Sequence, residues 1–153
     1  MLAKNGISIV HTVHAPEDVI KLPATVTDTW DEDDILIYIA ANNVVEKLPA
    51  SATAAQKNAV IGIASSAKLS GEDVAGVIRR VRIKAKITSV GTGNLYGKAC
   101  IATYASGKYT FAVGTAGACA HLAQHEPAAN TIALFDINLE QVGQNFEAFT
   151  AAI

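Results

Sequence analysis

The histidines are the first residues of this chain that could do chemistry. They form two pairs, His11 with His14 and His121 with His125, and Glu126 follows the second pair. On a helix, the i, i+4 spacing of His121 and His125 would bring both imidazoles to one face, as a zinc site requires. Their segment, however, is short, ends at a proline and lacks the HExxH order. We therefore favour a polar loop or a subunit contact, with a metal site as the alternative, and expect no cofactor.

Serines, glycines and cysteines show no catalytic spacing either. Ser65 and Ser66 follow a predicted strand without a GxSxG elbow or a triad partner at a suitable spacing. The glycines of residues 91–93 lack the further glycines, the lysine and the helix of a phosphate-binding loop. Cys100 and Cys119 have no CxxC spacing and are too few for a disulfide framework, which predicts buried free thiols. We expect a protein that is not an enzyme.

Charge is concentrated in two short blocks of opposite sign. Ten of the 26 charged residues lie in them, although the net charge is only −2. Two solvated faces would explain the blocks, and so would complementary surfaces that contact a neighbouring copy or a larger partner. A basic strand without interleaved aromatics, on a mildly acidic protein, gives little support for nucleic-acid binding. The acidic block is Asp28, Asp31, Glu32, Asp33 and Asp34 around Trp30, and the basic block is Arg79, Arg80, Arg82, Lys84 and Lys86.

The elements that must position these blocks are predicted to be mainly strands. Apolar and basic residues alternate without a break from Val81 to Ile87, which puts the apolar side chains on one face and the cations on the other. Short helices are predicted at Ser51 to Asn58 and at Leu139 to Ala152. Further strands are predicted at Ile35 to Ala40, Val44 to Leu48, Val60 to Ala64, Ala99 to Tyr104, Tyr109 to Val113 and Thr131 to Ile137.

These elements predict a mainly β, single-domain antiparallel β-sandwich or barrel, with short helices and extended terminal arms. Residues 1–23 would be an N-terminal arm or a first strand, 24–138 the β-rich core domain, and 139–153 a tail or short helix. Half of the residues are hydrophobic and 17% are charged, yet no apolar run is long enough for a membrane helix. The N-terminus also lacks the pattern of a signal peptide, so we expect a protein that is made in a cytosol and binds no membrane.

The middle of the chain resembles the small decoration or cement proteins of tailed-phage capsids. The resemblance rests on Ile61-Gly62-Ile63-Ala64, a spacer, Gly71-Glu72 and the run from Val74 to Val77. The preceding run from Asn43 to Leu48 and a closing strand from Thr131 to Phe135 fit the same order. This similarity implies a β-rich homotrimer on the outer surface of a virion, which binds the major capsid protein and stabilises the shell without catalysis.

Interface roles follow for both charged blocks, including Trp30, and for the two termini. Phe146 and Phe149 are predicted anchors of the C-terminal segment, and the segment before Pro23 could add a strand to a neighbour's sheet. The alternative function is a carbohydrate-binding β-sandwich module of a viral or cell-surface particle. That module would stack sugars on aromatic residues, for which the chain offers Trp30, Tyr38, Tyr96, Tyr104 and Tyr109.

Overall fold

A computed structural model of the chain describes residues 4–12, 19–90, 96–124 and 128–138. These residues form eleven strands and one short helix. The strands are β1 Ile7–Thr12, β2 Val19–Pro23, β3 Ile35–Ile39, β4 Val44–Lys47, β5 Val60–Ala64, β6 Val74–Ile78, β7 Arg80–Ser89, β8 Ala99–Ala105, β9 Lys108–Val113, β10 Ala118–Leu122 and β11 Thr131–Asn138, and the helix is α1 Ala54–Asn58.

Five strands close into a small barrel. Their order is β7-β11-β10-β8-β9, and a parallel pairing of β9 with β7 completes the circle. The long strand β7 has β11 along one edge, while its other edge is shared by β1 over its first half and by β9 over its second half. The predicted mainly β architecture is therefore confirmed, in the form of a barrel with a second sheet beside it.

The barrel interior is built from the alternation seen in the sequence. Val81, Ile83, Ala85 and Ile87 of β7 are buried, whereas the cations between them lie on the outside. The register of β7 with β11 gives both strands a common inner face, to which β11 contributes Phe135. The ring of Phe135 stacks on that of Phe111 from β9, with centroids 4.5 Å apart. Hydrophobic burial of this inner face holds the barrel closed.

The second sheet has the order β2-β6-β5-β3-β4. Every residue of β5 is buried, so this strand reads as an unbroken apolar run rather than an alternating one. Gly62 in β5 is needed because a Cβ there would overlap the carbonyl oxygen of Ile78 in β6. A single parallel bridge joins Ala24, just after β2, to Val45 in the other edge strand. One hydrophobic cluster draws its members from both sheets.

The connections use residues suited to tight turns and to a helix cap. Asn43 between β3 and β4 has a positive φ, of +53°. In the β8–β9 hairpin, φ is +53° at Ser106 and +76° at Gly107. Positive φ at both central residues is typical of a type I′ turn. Helix α1 begins at a capping box, in which the Thr53 side chain accepts from the Gln56 backbone and the Gln56 side chain accepts from the Thr53 backbone.

The structure corrects one sequence-based assignment and distinguishes two alternatives for another segment. Ala118–Leu122, predicted to be part of a polar loop, forms strand β10. The sequence does not indicate this strand, because its buried alanine, cysteine and leucine side chains give no alternating pattern. In the segment 1–23, Ile7–Thr12 and Val19–Pro23 pair with strands of their own chain, so the first-strand alternative holds for these residues. The predicted helix at Leu139 to Ala152 lies outside the described residues.

Candidate interaction surfaces

Trp30, at the centre of the acidic block, is a core residue. Only 4% of its surface is exposed, and its backbone exchanges two hydrogen bonds with that of Lys68. The Lys68 side chain is also buried, and its Nζ donates to the carbonyl oxygens of Asp28 at 2.5 Å, Val26 at 3.3 Å and Leu69 at 3.4 Å. It lies 5.4 Å from the centre of the Trp30 ring. Lys68 thus ties the segment around residues 26–30 to the one around residues 68–69.

Asp34 is buried as well, where the two sheets meet. Its Oδ2 accepts from the backbone N–H of Asp31 at 2.9 Å and pairs with Lys47 Nζ at 3.2 Å, while its Oδ1 accepts from Asn5 Nδ2 at 3.0 Å. Lys47 Nζ also donates to Tyr104 Oη at 2.9 Å. Burial lowers the pKa of Lys47, but the Tyr104 hydrogen bond and the Asp34 charge outweigh it, so this pKa is raised. The group is a polar connection between the barrel and the second sheet.

The prediction that the whole acidic block forms a contact surface is therefore corrected. Trp30 and Asp34 lie inside the protein, and only Asp31 and Glu32 are well exposed. Asp33 is partly buried and has a φ of +72°, a conformation that Asp tolerates better than most residues. Burial first, and then the charges of Glu32 and Asp34, raise the pKa of the Asp33 carboxyl.

The basic block lies mainly on the outside of the barrel. Arg82 forms a bidentate ion pair with Asp136 of β11, with Nε–Oδ1 and Nη2–Oδ2 distances of 2.7 and 2.9 Å, and this pairing raises the pKa of Arg82. Lys84 and Lys86 are exposed, whereas Arg79 and Arg80 are half-buried near the start of β7. The outward charge is thus concentrated in the middle and end of β7.

Most of the large exposed hydrophobic residues of the described chain lie beside one of the two charged blocks. Val26, Leu69 and Val74 are 49%, 69% and 51% exposed and lie on neighbouring segments, because Gly71 N–H bonds the Val26 carbonyl and Val74 pairs with Pro23. We name these three residues, with Asp31, Glu32, Glu72 and Asp73, the acidic-apolar surface.

The outside of the barrel carries a surface of the opposite charge, which also includes exposed apolar side chains. Ile132 of β11 is 47% exposed and lies opposite Lys86, and Leu134, half-buried, lies opposite Lys84. Val10 in β1, on the other edge of β7, is 46% exposed. We name these residues the basic stripe, which consists of Lys84, Lys86, Val10, Ile132 and Leu134. The acidic-apolar surface lies mainly on loops that flank the second sheet, whereas the basic stripe lies on β1, β7 and β11.

An open cleft of about 500 Å³ lies beside the polar connection. Its charged side chains are already engaged: Glu46 accepts from Thr25 Oγ1 at 2.8 Å, Asp28 accepts from the Lys47 backbone N–H at 2.9 Å, and the Lys47 side chain contacts Tyr104. The cleft therefore offers polar walls in which the strongest donors and acceptors already bond one another.

The candidate metal ligands and the cysteines are described only in part. Within the described ranges no group of three or more His, Cys, Asp or Glu side chains could hold a metal ion. His121 lies on strand β10 rather than on a helix, and His14, His125 and Glu126 lie outside the described residues. Cys100 and Cys119 are free and buried, as predicted, and burial raises their pKa values to about 11 and about 12.

The aromatic residues of the carbohydrate alternative are mostly occupied. Trp30 and Tyr109 are buried, and Tyr104 packs on Tyr109 with ring centroids 4.4 Å apart while Lys47 lies over its ring. The Tyr38 hydroxyl donates to Asn43 at 3.0 Å. Of the five, Tyr96 is the one with a largely exposed ring. The described residues therefore present no row of open aromatic faces.

Sequence reasoning missed Lys68 and Lys47, the two cations that organise the acidic block. A single lysine gives no sign of burial in the sequence. Lys47 Nζ reaches Asp34 and Tyr104, 13 and 57 residues away, and Lys68 Nζ reaches Asp28 and Val26, 40 and 42 residues away. Phe146 and Phe149, the predicted anchors, lie outside the described residues. Among the helices of the described part, none has the length and apolar character to cross a membrane.

Comparison with known proteins adds no family. No family model matches the sequence, and no curated protein matches it.

Proposed function

We propose that this protein is a structural decoration protein of a viral capsid, which binds the outer surface of an assembled shell and stabilises it through contacts between subunits. The observation that carries the proposal is the pair of surfaces described above. They have opposite charge, each includes exposed apolar side chains, and they lie on different elements, which would let one copy contact two neighbours. Apolar side chains beside charged ones are a usual composition for a protein contact surface.

The segments that carry the resemblance to decoration proteins support this interpretation by having structural roles. Residues 61–64 lie in the buried strand β5, and Gly71 turns the chain with a φ of +99°. The Glu72 carboxylate stabilises that turn by accepting from the Leu69 N–H at 2.6 Å. The chain then enters β6, which pairs with β5. Gly71 and Glu72 thus turn the chain, and Gly62 lets β5 and β6 pack closely.

The mechanism is mass action. A protein that binds the assembled lattice, and not its separated subunits, stabilises the lattice by its binding free energy at each site. The partner is the major capsid protein, the proposed location is the virion surface, and no nucleic acid, membrane or cofactor takes part. A homotrimer, as the resemblance implies, would multiply the contacts per bound unit. Phe146 and Phe149 stay predicted anchors for the shell.

Co-sedimentation tests the proposal directly. The purified protein is mixed with shells assembled from the major capsid protein encoded in the same genome, and in parallel with unassembled subunits of that protein. We expect saturable binding to shells, little binding to subunits, and a higher temperature of shell disruption when the protein is bound. Equal binding to both, or binding that leaves the disruption temperature unchanged, would contradict a decoration role.

A further inference from the structure

We propose that the acidic-apolar surface of one copy binds the basic stripe of a second copy, head to tail. This inference rests on the self-association included in the proposed function and names the two surfaces that would carry it.

Charge complementarity is the first argument. The acidic-apolar surface has four carboxylates, at Asp31, Glu32, Glu72 and Asp73, and its cation, Lys68, is buried beneath it with its Nζ bonded to backbone carbonyls. The basic stripe presents two exposed ammonium groups. Opposite potentials of this kind steer association and fix its register.

Apolar composition is the second argument. Three side chains that are each about half exposed or more lie within the acidic-apolar surface, and Val10 and Ile132, both nearly half exposed, flank the two lysines of the stripe. Burying apolar side chains inside a charged rim is the usual anatomy of a specific interface. A second copy of this chain satisfies both requirements, because every copy carries both halves of the contact.

The contact has a consequence for assembly. It is heterologous, since two different surfaces meet, so a dimer leaves one surface of each kind open. In a closed ring, every acidic-apolar surface is bound to a basic stripe. The size of the ring is set by the angle between the two surfaces, and three copies is the number that the resemblance implies.

Charge exchange tests the inference with the full chain. One variant carries Lys84→Glu and Lys86→Glu, which makes both surfaces acidic. A second variant carries Asp31→Lys and Asp73→Lys, which cancels the net negative charge of the acidic-apolar surface, since two lysines then face the remaining Glu32 and Glu72. Glu72 is left in place because its carboxylate accepts the Leu69 N–H. Molar mass is measured by light scattering and sedimentation velocity over a range of protein concentrations in low and high salt.

We expect the unmodified protein to form a closed oligomer whose dissociation midpoint rises at least tenfold in high salt, since exposed pairs are screened. Each variant alone should be a monomer, and a one-to-one mixture of the two should form a heterodimer, because the unmodified acidic-apolar surface of the first variant can bind the unmodified basic stripe of the second. A ring of three copies cannot close from this mixture, since it would need one contact between like variants. The matched control, Lys98→Glu with Lys108→Glu, changes two exposed lysines elsewhere on the surface and should associate like the unmodified protein. Circular dichroism checks that all variants are folded.

Leu69→Ser tests the apolar part without changing charge. Leu69 is the most exposed large hydrophobic residue of the described chain, and its loss should weaken association about tenfold. A monomeric unmodified protein, variants that associate like it, or a mixture that stays monomeric would each overturn the inference. Shell co-sedimentation of the unmodified protein separates the two proposals, because an unmodified protein that is monomeric and still binds shells refutes this contact alone, whereas an unmodified protein that does not bind shells refutes the function.

Discussion

Replacing Lys47 with Met should destabilise the protein because it leaves the Asp34 carboxylate buried without its counter-charge. Lys47 Nζ lies 3.2 Å from Asp34 Oδ2, and the two side chains are 23% and 1% exposed. At an effective dielectric constant of about 20, unit charges at this distance attract by about 5 kcal/mol, and desolvation offsets much of that gain. Two N–H groups still donate to Asp34 after the change, which limits the cost of its uncompensated charge. We therefore expect the free energy of unfolding to fall by about 3 kcal/mol.

A double-mutant cycle isolates the pair. Asp34→Asn keeps the shape of the side chain but removes its charge, and should cost about 2 kcal/mol because Lys47 is partly solvated. The variant with both changes should cost about 3 kcal/mol, which corresponds to a coupling energy of about 2 kcal/mol. Urea unfolding followed by fluorescence of the single tryptophan, Trp30, reports each value.

The control is Lys84→Met, which removes an exposed cation and should change stability by less than about 0.5 kcal/mol. If the costs of the two single changes sum to the cost of the double change within about 0.5 kcal/mol, the pair is not coupled. Our account of the polar connection between the sheets would then be refuted.

Three further predictions concern single positions. Asp33→Asn should raise stability at pH 7 by a few tenths of a kcal/mol, because burial and neighbouring carboxylates raise the pKa of Asp33 above 3.8 and native stability falls as pH rises through that raised pKa. Urea titrations should show the gain vanishing near pH 3, and a gain that persists there argues against an ionisation effect. The thiols of Cys100 and Cys119 should resist Ellman's reagent at pH 8 in the folded protein and react in denaturant, because burial raises both pKa values; fast reaction of the folded protein contradicts this. Gly62→Ala should lower the free energy of unfolding by about 3 kcal/mol or more, since a Cβ there overlaps a backbone carbonyl of β6. Gly71→Ala meets no atom within 4 Å and should cost only its backbone strain, about 1 kcal/mol; similar melting temperatures for the two variants would contradict the steric argument.

Strands with a local signal could be predicted from the sequence. Two patterns are sufficient to predict strands β7 and β5: the alternation from Val81 to Ile87 and the apolar run of β5. In both, the side chains themselves decide which face is buried. Asn43 forms the turn between β3 and β4 with a positive φ, which asparagine tolerates better than most residues. Strand β10 could not be predicted, since small side chains next to His121 resemble a loop until the neighbouring strands bury them.

The charged blocks show that burial cannot be predicted from local sequence alone. TWDEDD looks like an exposed acidic turn, yet Trp30 and Asp34 are buried because Lys68 and Lys47 reach them from other parts of the chain. The basic strand was read more accurately, since alternation alone places Lys84 and Lys86 outside the barrel. Which carboxylates face solvent depends on tertiary contacts, and no spacing rule encodes those.

The arrangement of β7 has a consequence for how the protein is made. The second sheet uses residues 19–78, so all of its strands have left the ribosome before the barrel strands are complete. The partners of β7 in β11 lie 44 to 58 residues downstream, from the Ile87–Thr131 and Arg80–Asn138 pairs. At a synthesis rate of about 5 to 20 residues per second, one edge of β7 and its inner face wait for several seconds. During translation, β1 is the partner of β7 that is already available, and it covers the first half of the opposite edge of β7 while the rest of the barrel is still being made.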